Sequence, residues 1–286
     1  EEEAVLVKNE NYWDAENVTL EKATFVVMTD STAQVNAFRT GDIDIAMSVP
    51  SEVATNAEYE SNIVMPEKYV SNYFVLINSG PKAQVEALKD ENVRKALALA
   101  IDKDTMLNIL GGKANVRLDG YIPYGFEGVD GNDFRDEKSY GEFNLKEAKA
   151  LMEAAGYNEN NHLKFEYLYS NSQFHADVAQ ILQQMWSQIY VDVELKSIEM
   201  GVFYDYIDNG DFTTCRYANN DSTDPLSYFQ LFTTDSQIDG CQAIADPVLD
   251  QMVEEAYQIT DHDEYIAKLH EIEDYFVEEK QYVIPL

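Results

Sequence analysis

Apolar positions alternate with polar ones, or recur at helical spacing, along almost the whole chain. Residues 5–8 are apolar and β-branched, Asn9-Glu10-Asn11 is a turn signal followed by Tyr12 and Trp13, and residues 23–28 form a second strand-like run. Asp30, Ser31 and Thr32 offer N-caps for a helix that carries Val35, Ala37 and Phe38 and stops at Gly41. Residues 43–47 then read as a strand, and the strand-helix-strand order predicts a parallel pair buried on both faces.

Residues 69–78, with Tyr73, Phe74, Val75, Leu76 and Ile77 together, predict a strong strand. Helices follow from Asp90 or Asn92 through Ile101, and from Asp104 to Gly111-Gly112. Residues 119–142 are rich in Gly, Asp and Tyr and read as a long irregular loop. Helix 145–155 ends at Gly156, strand 165–169 comes next, and helix 174–189 is amphipathic through Val178, Ile181, Leu182, Met185 and Ile189. Residues 191–198 alternate as a strand, 200–208 form a short helix ended by Gly210, and 212–218 are a strand entering the polar turn 219–224. Residues 225–232 read as a short helix, 246–258 and 261–279 as a closing helical hairpin, and 282–286 as a last strand. Strands interleaved with helices predict an α/β (mixed α+β) fold, without internal repeats.

Composition narrows the function more than the fold. A hydrophobic share of 45% with 12% aromatics excludes a disordered chain, and 286 residues suffice for one large or two ordinary domains. Fifty-three acidic against twenty basic residues leave a net charge of -33, which repels nucleic-acid phosphates and anionic headgroups. The excess acid serves solubility, or it selects cationic ligands; composition does not separate the two. No apolar run reaches the length of a membrane span, and the opening Glu1-Glu2-Glu3 is no signal peptide. Cys215 and Cys241 fit one disulfide or two buried thiols.

Several short motifs then occur in a telling order. Lys8-Asn9-Glu10-Asn11-Tyr12-Trp13 precedes Ala37-Phe38-Arg39-Thr40-Gly41-Asp42-Ile43-Asp44, and Val93-Arg94-Lys95-Ala96-Leu97 leads into Ala100-Ile101-Asp102-Lys103. Ala148-Lys149-Ala150-Leu151-Met152 leads to Ala155-Gly156-Tyr157, and Gln183-Gln184-Met185-Trp186 to Val191-Asp192-Val193-Glu194-Leu195. Asp221-Ser222-Thr223-Asp224-Pro225, Asp246-Pro247-Val248-Leu249-Asp250 and Ile284-Pro285-Leu286 complete the series. In this order the chain resembles the oligopeptide/dipeptide-type solute-binding proteins of ABC importers, a class that also holds nickel and some sugar binders.

The resemblance implies a periplasmic binding protein-like, type II fold of two lobes joined by two crossing strands. Residues 1–68 would be a partial segment of the first lobe, 69–280 the second lobe with its ligand face, and 281–286 the return crossing strand. The partners implied are a peptide ligand, a membrane permease and the missing part of the chain's own first lobe, with no nucleic acid, no cofactor and a monomeric state. The location implied is extracytoplasmic, in the periplasm or lipid-anchored at the outer face of the membrane. Related readings are a binder of oligosaccharide or nickel chelate, and a surface adhesion or sensory protein that reuses the fold.

In peptide-binding relatives an aspartate in a short turn before an acidic residue and a proline meets the peptide α-ammonium, and the matching residue is Asp221. A closed cleft excludes water, so a buried ammonium requires a fixed carboxylate and further acceptors; without the resemblance an Asx-turn is the plainer reading of Asp221, and with it the ligand role is. Relatives commonly carry a tryptophan just upstream, where Ala218 stands, with Asn219 and Asn220 filling the turn and Tyr217 offered as a replacement aromatic. Arg216 falls near an arginine that some relatives aim at the peptide carboxylate, and a strand-end surface arginine is an equal alternative. Tyr73, between Asn72 and Phe74 on the strand matching the first crossing, either lines the cleft or belongs to the core.

Signs of catalysis or metal binding are lacking. His262 and His270 are eight apart, and His162 and His175 have no partner at ligand spacing. His-Glu-x-x-His, Cys-x-x-Cys and Gly-x-Ser-x-Gly do not occur. Asp130-Gly131-Asn132-Asp133 resembles part of a calcium loop, but Phe134 takes the next ligand position. The expectation is a binding protein, not an enzyme.

Overall fold

The structure is a computed structural model that describes residues 3–54, 56–64, 70–110, 115–220, 223–236 and 243–286. The chain divides into two compact units, residues 1–56 and 57–286.

In the first unit β1 (Glu3–Val7) and β2 (Lys22–Val26) pair antiparallel, from Glu3 opposite Val26 to Val7 opposite Lys22. Helix α1 (Ser31–Thr40) begins where the Asp30 carboxylate accepts from Ala33 N at 2.6 Å and ends at Gly41, whose φ of 79° is readily adopted only by glycine. A short helix α2 (Ser51–Ala54) follows. The expected parallel β-α-β unit is not formed, because residues 43–47 make no strand. Instead of a ladder, Ile43 N donates to Ala37 O of α1 at 3.4 Å, and just beyond the segment Ser48 N donates to Gln34 Oε1 at 3.0 Å, while Gln34 Nε2 donates to Met28 O at 2.8 Å. An apolar run is compatible with a strand, but it becomes one only where a neighbour supplies the ladder.

The second unit is built on a five-stranded sheet in the order β5-β4-β6-β3-β7. Its strands are β3 (Asn72–Ile77), β4 (Leu163–Ser170), β5 (Val191–Ile198), β6 (Thr214–Asn219) and β7 (Val283–Pro285). Strand β4 pairs parallel with β5 and β6, while β3 lies antiparallel between β6 and β7. The two-residue strand period sends Val75, Ile77, Tyr167 and Tyr169 to one apolar core and Phe74, Leu76, Leu168, Cys215 and Tyr217 to a second. Both faces are therefore covered, which is why β3 reads as a continuous apolar run rather than an alternating one.

The first of those cores takes in α3 (Glu91–Leu99), α4 (Lys103–Leu110), α5 (Leu145–Ala154) and α6 (Gln173–Ser187). The other takes in α7 (Met200–Asn209), α8 (Ser227–Gln230), α9 (Pro247–Tyr257) and α10 (His262–Glu273). Each of α3, α5, α6, α7, α9 and α10 starts on a side-chain cap from Asp, Asn, Ser or Glu, so the local signals and the packing agree. A π-helix, Asp274–Glu279, continues α10 toward β7.

The long loop 119–142 is irregular, as its composition predicts, with one-turn 3₁₀ segments at Val129–Gly131 and Phe134–Glu137. It is nonetheless anchored inside the protein. Arg135 forms a two-pronged ion pair with Glu273 of α10 (Nη1 to Oε1 2.6 Å, Nη2 to Oε2 2.9 Å), and Glu273 Oε1 also accepts from Tyr121 N and Ile122 N.

Candidate functional site

Strands β4, β5 and β6 run parallel, so their carboxyl ends, Ser170, Ile198 and Asn219, come to one edge of the sheet with the start of antiparallel β3 at Asn72. The N-termini of α6 and α7 follow β4 and β5 directly, capped by Ser172 and Glu199. The crevice outside the carboxyl ends of parallel strands is where open α/β sheets bind ligands, because loops and helix N-termini converge there without backbone pairing of their own.

Arg216 is the dominant feature of this edge. Strand register places it opposite Val75, two residues from the pair Tyr73–Ala218, so it rises on the sheet face of Tyr73. Its Nη2 donates to Ser170 Oγ at 2.6 Å and touches Met200 Sδ at 3.3 Å, and its guanidinium carbon lies 4.5 Å from the centre of the Phe203 ring. The residue is only 5% exposed, its Nε has no hydrogen-bond partner, and among the described residues no carboxylate stands within ion-pair distance. A guanidinium without a carboxylate, in a nearly dry setting, is a strong attractor for an anion.

Tyr73 sits beside it. Its hydroxyl is 3.1 Å from His175 Nδ1 in the first turn of α6, and its ring meets Phe174 edge-on at 5.8 Å. Burial, and secondly the positive charge of Arg216, push His175 down to about 4, so the imidazole is neutral at pH 7. Burial pushes the Tyr73 phenol up, partly offset by Arg216, and it too stays neutral. Tyr167, buried beneath, has its phenol raised by burial as well. Arg216 thus stands among neutral aromatic and hydroxyl groups, while the Glu199 carboxylate at the same edge is engaged by Gly201 N and Val202 N.

Asn72, 2% exposed, fastens the end of β6: its Oδ1 accepts from Asn219 N at 2.8 Å, and its Nδ2 donates to Tyr121 O at 2.7 Å. This holds Asn219 against the sheet.

The family model for bacterial extracellular solute-binding proteins, family 5 (middle region), matches residues 1–240. The chain belongs to this family. Among family members it is 26% identical to the dipeptide-binding protein DppE of Bacillus subtilis over 290 residues, covering 98% of this chain and 51% of that protein. It is 26% identical to the periplasmic oligopeptide-binding protein OppA of Salmonella typhimurium over 264 residues, covering 91% of this chain and 48% of that one. A solved structure of the substrate-binding domain of an oligopeptide ABC transporter from Bacillus anthracis superposes with a TM-score of 0.84 at 25% identity, over 99% of this chain and 56% of that one. Haemophilus influenzae OppA, solved in complex with the peptide RPPGFSPFR, shows the same fold at a TM-score of 0.81 and 23% identity. The chain spans about half the length of the curated relatives it matches. The fold is therefore the mixed α/β, periplasmic binding protein-like one, and the family's members are solute-binding proteins.

Within this family fold, the residues singled out from sequence separate. Tyr73 and Arg216 come together, and Asn219 joins them at the same strand ends. Asn220 follows directly after β6. Tyr217 does not join them: it faces the opposite core, with its ring 5.7 Å from that of Phe74, because adjacent strand residues point to opposite faces. Ala218 lies opposite Tyr73 and leaves the hydroxyl edge uncovered by any larger side chain from that position. Asp221 and Cys241 lie outside the described residues, and Cys215 is fully buried on β6.

Sequence reasoning missed His175, Phe174, Ser170, Met200 and Phe203 as neighbours of the site. The capped start of α6 was a visible signal for the first two, but no spacing in the chain linked them to Tyr73 or Arg216.

Proposed function

We propose that this chain is part of an extracytoplasmic binding protein that captures oligopeptides or dipeptides between two lobes and delivers them to the permease of an ABC importer. One observation carries the peptide reading: Arg216, buried and without a described carboxylate partner, stands at the carboxyl ends of three strands among neutral Tyr73, His175 and Phe174. That setting suits the carboxylate of a peptide, while the aromatic and hydroxyl surroundings accept varied side chains. In this reading Asp221, with Asn219 and Asn220 in the same turn, receives the α-ammonium, and the two ends of the ligand are held by opposite charges. The peptide ligands named for relatives support the same assignment.

The second lobe would comprise residues 69–280, with 1–68 as part of the first lobe and 281–286 as the return crossing. The β1–β2 ribbon leaves apolar side chains exposed on both of its faces, Leu6 on one and Val5 and Val7 on the other. A two-stranded ribbon of this kind needs covering layers to be stable, which supports further first-lobe structure in the complete protein. The reading makes the protein a monomeric carrier that performs no chemistry on its ligand, works outside the cytoplasmic membrane and is lipid-anchored or periplasmic.

Mass spectrometry of ligands released from the complete protein tests this, with peptides as the expected result; sugars or metal chelates alone would overturn it. Calorimetry then compares peptides with free and amidated C-termini. The preference for the free carboxylate is expected to vanish in Arg216→Gln.

A further inference from the structure

The motif Val93-Arg94-Lys95-Ala96-Leu97 is not explained by the ligand edge, which lies elsewhere on the sheet. Arg94 is 2% exposed, and its described hydrogen bonds run to main-chain carbonyls. Nη1 donates to Leu88 O and Lys89 O, each at 2.9 Å, just ahead of α3. Nε donates to Lys280 O at 2.8 Å and Gln281 O at 3.2 Å, and Nη2 also donates to Lys280 O. One guanidinium thus joins residues 88–89 to a stretch that begins 186 positions after Arg94 itself.

The second stretch combines two unusual backbone features. It is the end of the π-helix, where Lys280 N donates to Tyr275 O, followed by Gln281 in the left-handed region at φ 48°. Both features are costly for a non-glycine chain and persist only where the surroundings impose them. The surroundings here are Arg94 on one side, with the Tyr282 ring 5.4 Å from its guanidinium carbon, and Asp246 on the other. Asp246 Oδ2 accepts from the hydroxyls of Tyr275 at 2.6 Å and Tyr282 at 2.8 Å, bracing both ends of the joint. Lys280 Nζ adds a 2.7 Å contact to Glu91 of α3. Directly beyond the joint lies β7, which pairs with β3: Ile77 N donates to Tyr282 O at 3.3 Å, and Leu286 N donates to Tyr73 O at 2.9 Å.

We infer that Arg94 is a latch: it holds the strained turn at residues 280–281 and so keeps the edge strand β7 docked on β3, the strand that carries Tyr73. Strand β7 has only three residues in its ladder and could not hold this register by pairing alone. Arginine suits the task because its planar fork reaches several carbonyls at fixed angles, which a lysine ammonium on a flexible stem does not. Arg94 is a positioning residue and touches no ligand. Its bearing on capture rests on the reading of Tyr73 proposed above, whereas the latch itself does not, so the two can fail separately.

Amide hydrogen exchange on this chain reads the latch directly. In Arg94→Gln, the amides of Ile77 and Leu286 are expected to exchange at least about tenfold faster, while those of β4, α6 and β5 between residues 163 and 198 keep their protection. A rise of equal size everywhere would mark Arg94 as merely stabilising and overturn the latch, as would no rise at Ile77 and Leu286. Should Arg94→Gln fail to fold, Arg94→Lys, which keeps the charge and loses the fork, is read at the same amides. A selective but smaller rise upholds the latch, and a uniform or absent one overturns it. Neither outcome depends on whether the complete protein binds peptide.

Discussion

The Tyr73 hydroxyl stands 3.1 Å from His175 Nδ1, joining β3 to the first turn of α6 across 102 positions of chain. The contact makes this edge of the sheet sensitive to acid. The groups facing His175 are Tyr73, Phe174 and the guanidinium of Arg216, and none of them favours an imidazolium. Burial first and Arg216 second lower His175 to about 4, whereas a histidine in an unfolded chain titrates near 6.5. The unfolded chain therefore takes up this proton first. The contribution is fully present above about pH 6.5 and is lost progressively as the pH falls toward 4. Urea unfolding at pH 7 and pH 4.5 is expected to show a loss on the order of 1–2 kcal/mol, after allowing for solvent screening, that is absent in His175→Gln.

In the proposed reading Arg216 sets stability against function. A buried guanidinium that lacks a carboxylate partner among the described residues is a cost to the folded state, relieved there by Ser170, Met200 and the Phe203 ring. Arg216→Met should therefore raise the unfolding midpoint, by about 1 kcal/mol in stability, while removing carboxylate preference from the complete protein. Thermal unfolding and calorimetry on the same variant check both halves.

Glu273 is expected to be the most sensitive charged position in the second unit. Its carboxylate is fully buried and satisfies Arg135, Tyr121 N and Ile122 N together. Glu273→Gln leaves Arg135 unpaired in the interior and should cost about 3–5 kcal/mol by urea unfolding. Gly120→Ala should injure the same lock, because an added Cβ would lie 1.6 Å from Arg135 Nη1.

Asp246 should govern the acid limit near the C-terminus. Burial opposes its ionisation, but the hydroxyls of Tyr275 and Tyr282 and the amides of Val248 and Leu249 outweigh that and hold its carboxyl below the usual range. A depressed carboxyl stabilises the fold above its unfolded value near 3.9, and the contribution fades as the pH falls through the folded value. Asp246→Asn should cost about 1–3 kcal/mol at pH 7 and flatten the acid limb of the stability curve, measured by denaturant titration from pH 7 to pH 3.

The second unit was largely legible in the chain. Helix 174–189, strand 191–198 and the hairpin 246–279 are found close to where periodicity places them, because each has a strong local pattern and a side-chain cap. The first unit was less so. Residues 43–47 carry the composition of a strand but make none, so the parallel partner expected for β2 does not form and β2 pairs antiparallel with β1.

The candidate site divides along the same line. Arg216 and Tyr73 could be picked out as residues, but their meeting with His175, and the exclusion of Tyr217 from that meeting, are matters of register and strand order. Sequence by itself determined the family, the succession of most elements and the caps that start the helices, since these depend on neighbours three or four residues apart. Only the tertiary structure decided which side chains share a face, that Arg216 is buried beside Ser170 rather than paired at the surface, and that Arg94 reaches the turn before β7. Those contacts bridge 46 residues at Arg216–Ser170 and 186 at Arg94–Lys280, and nothing local in the chain encodes a partner at such distance.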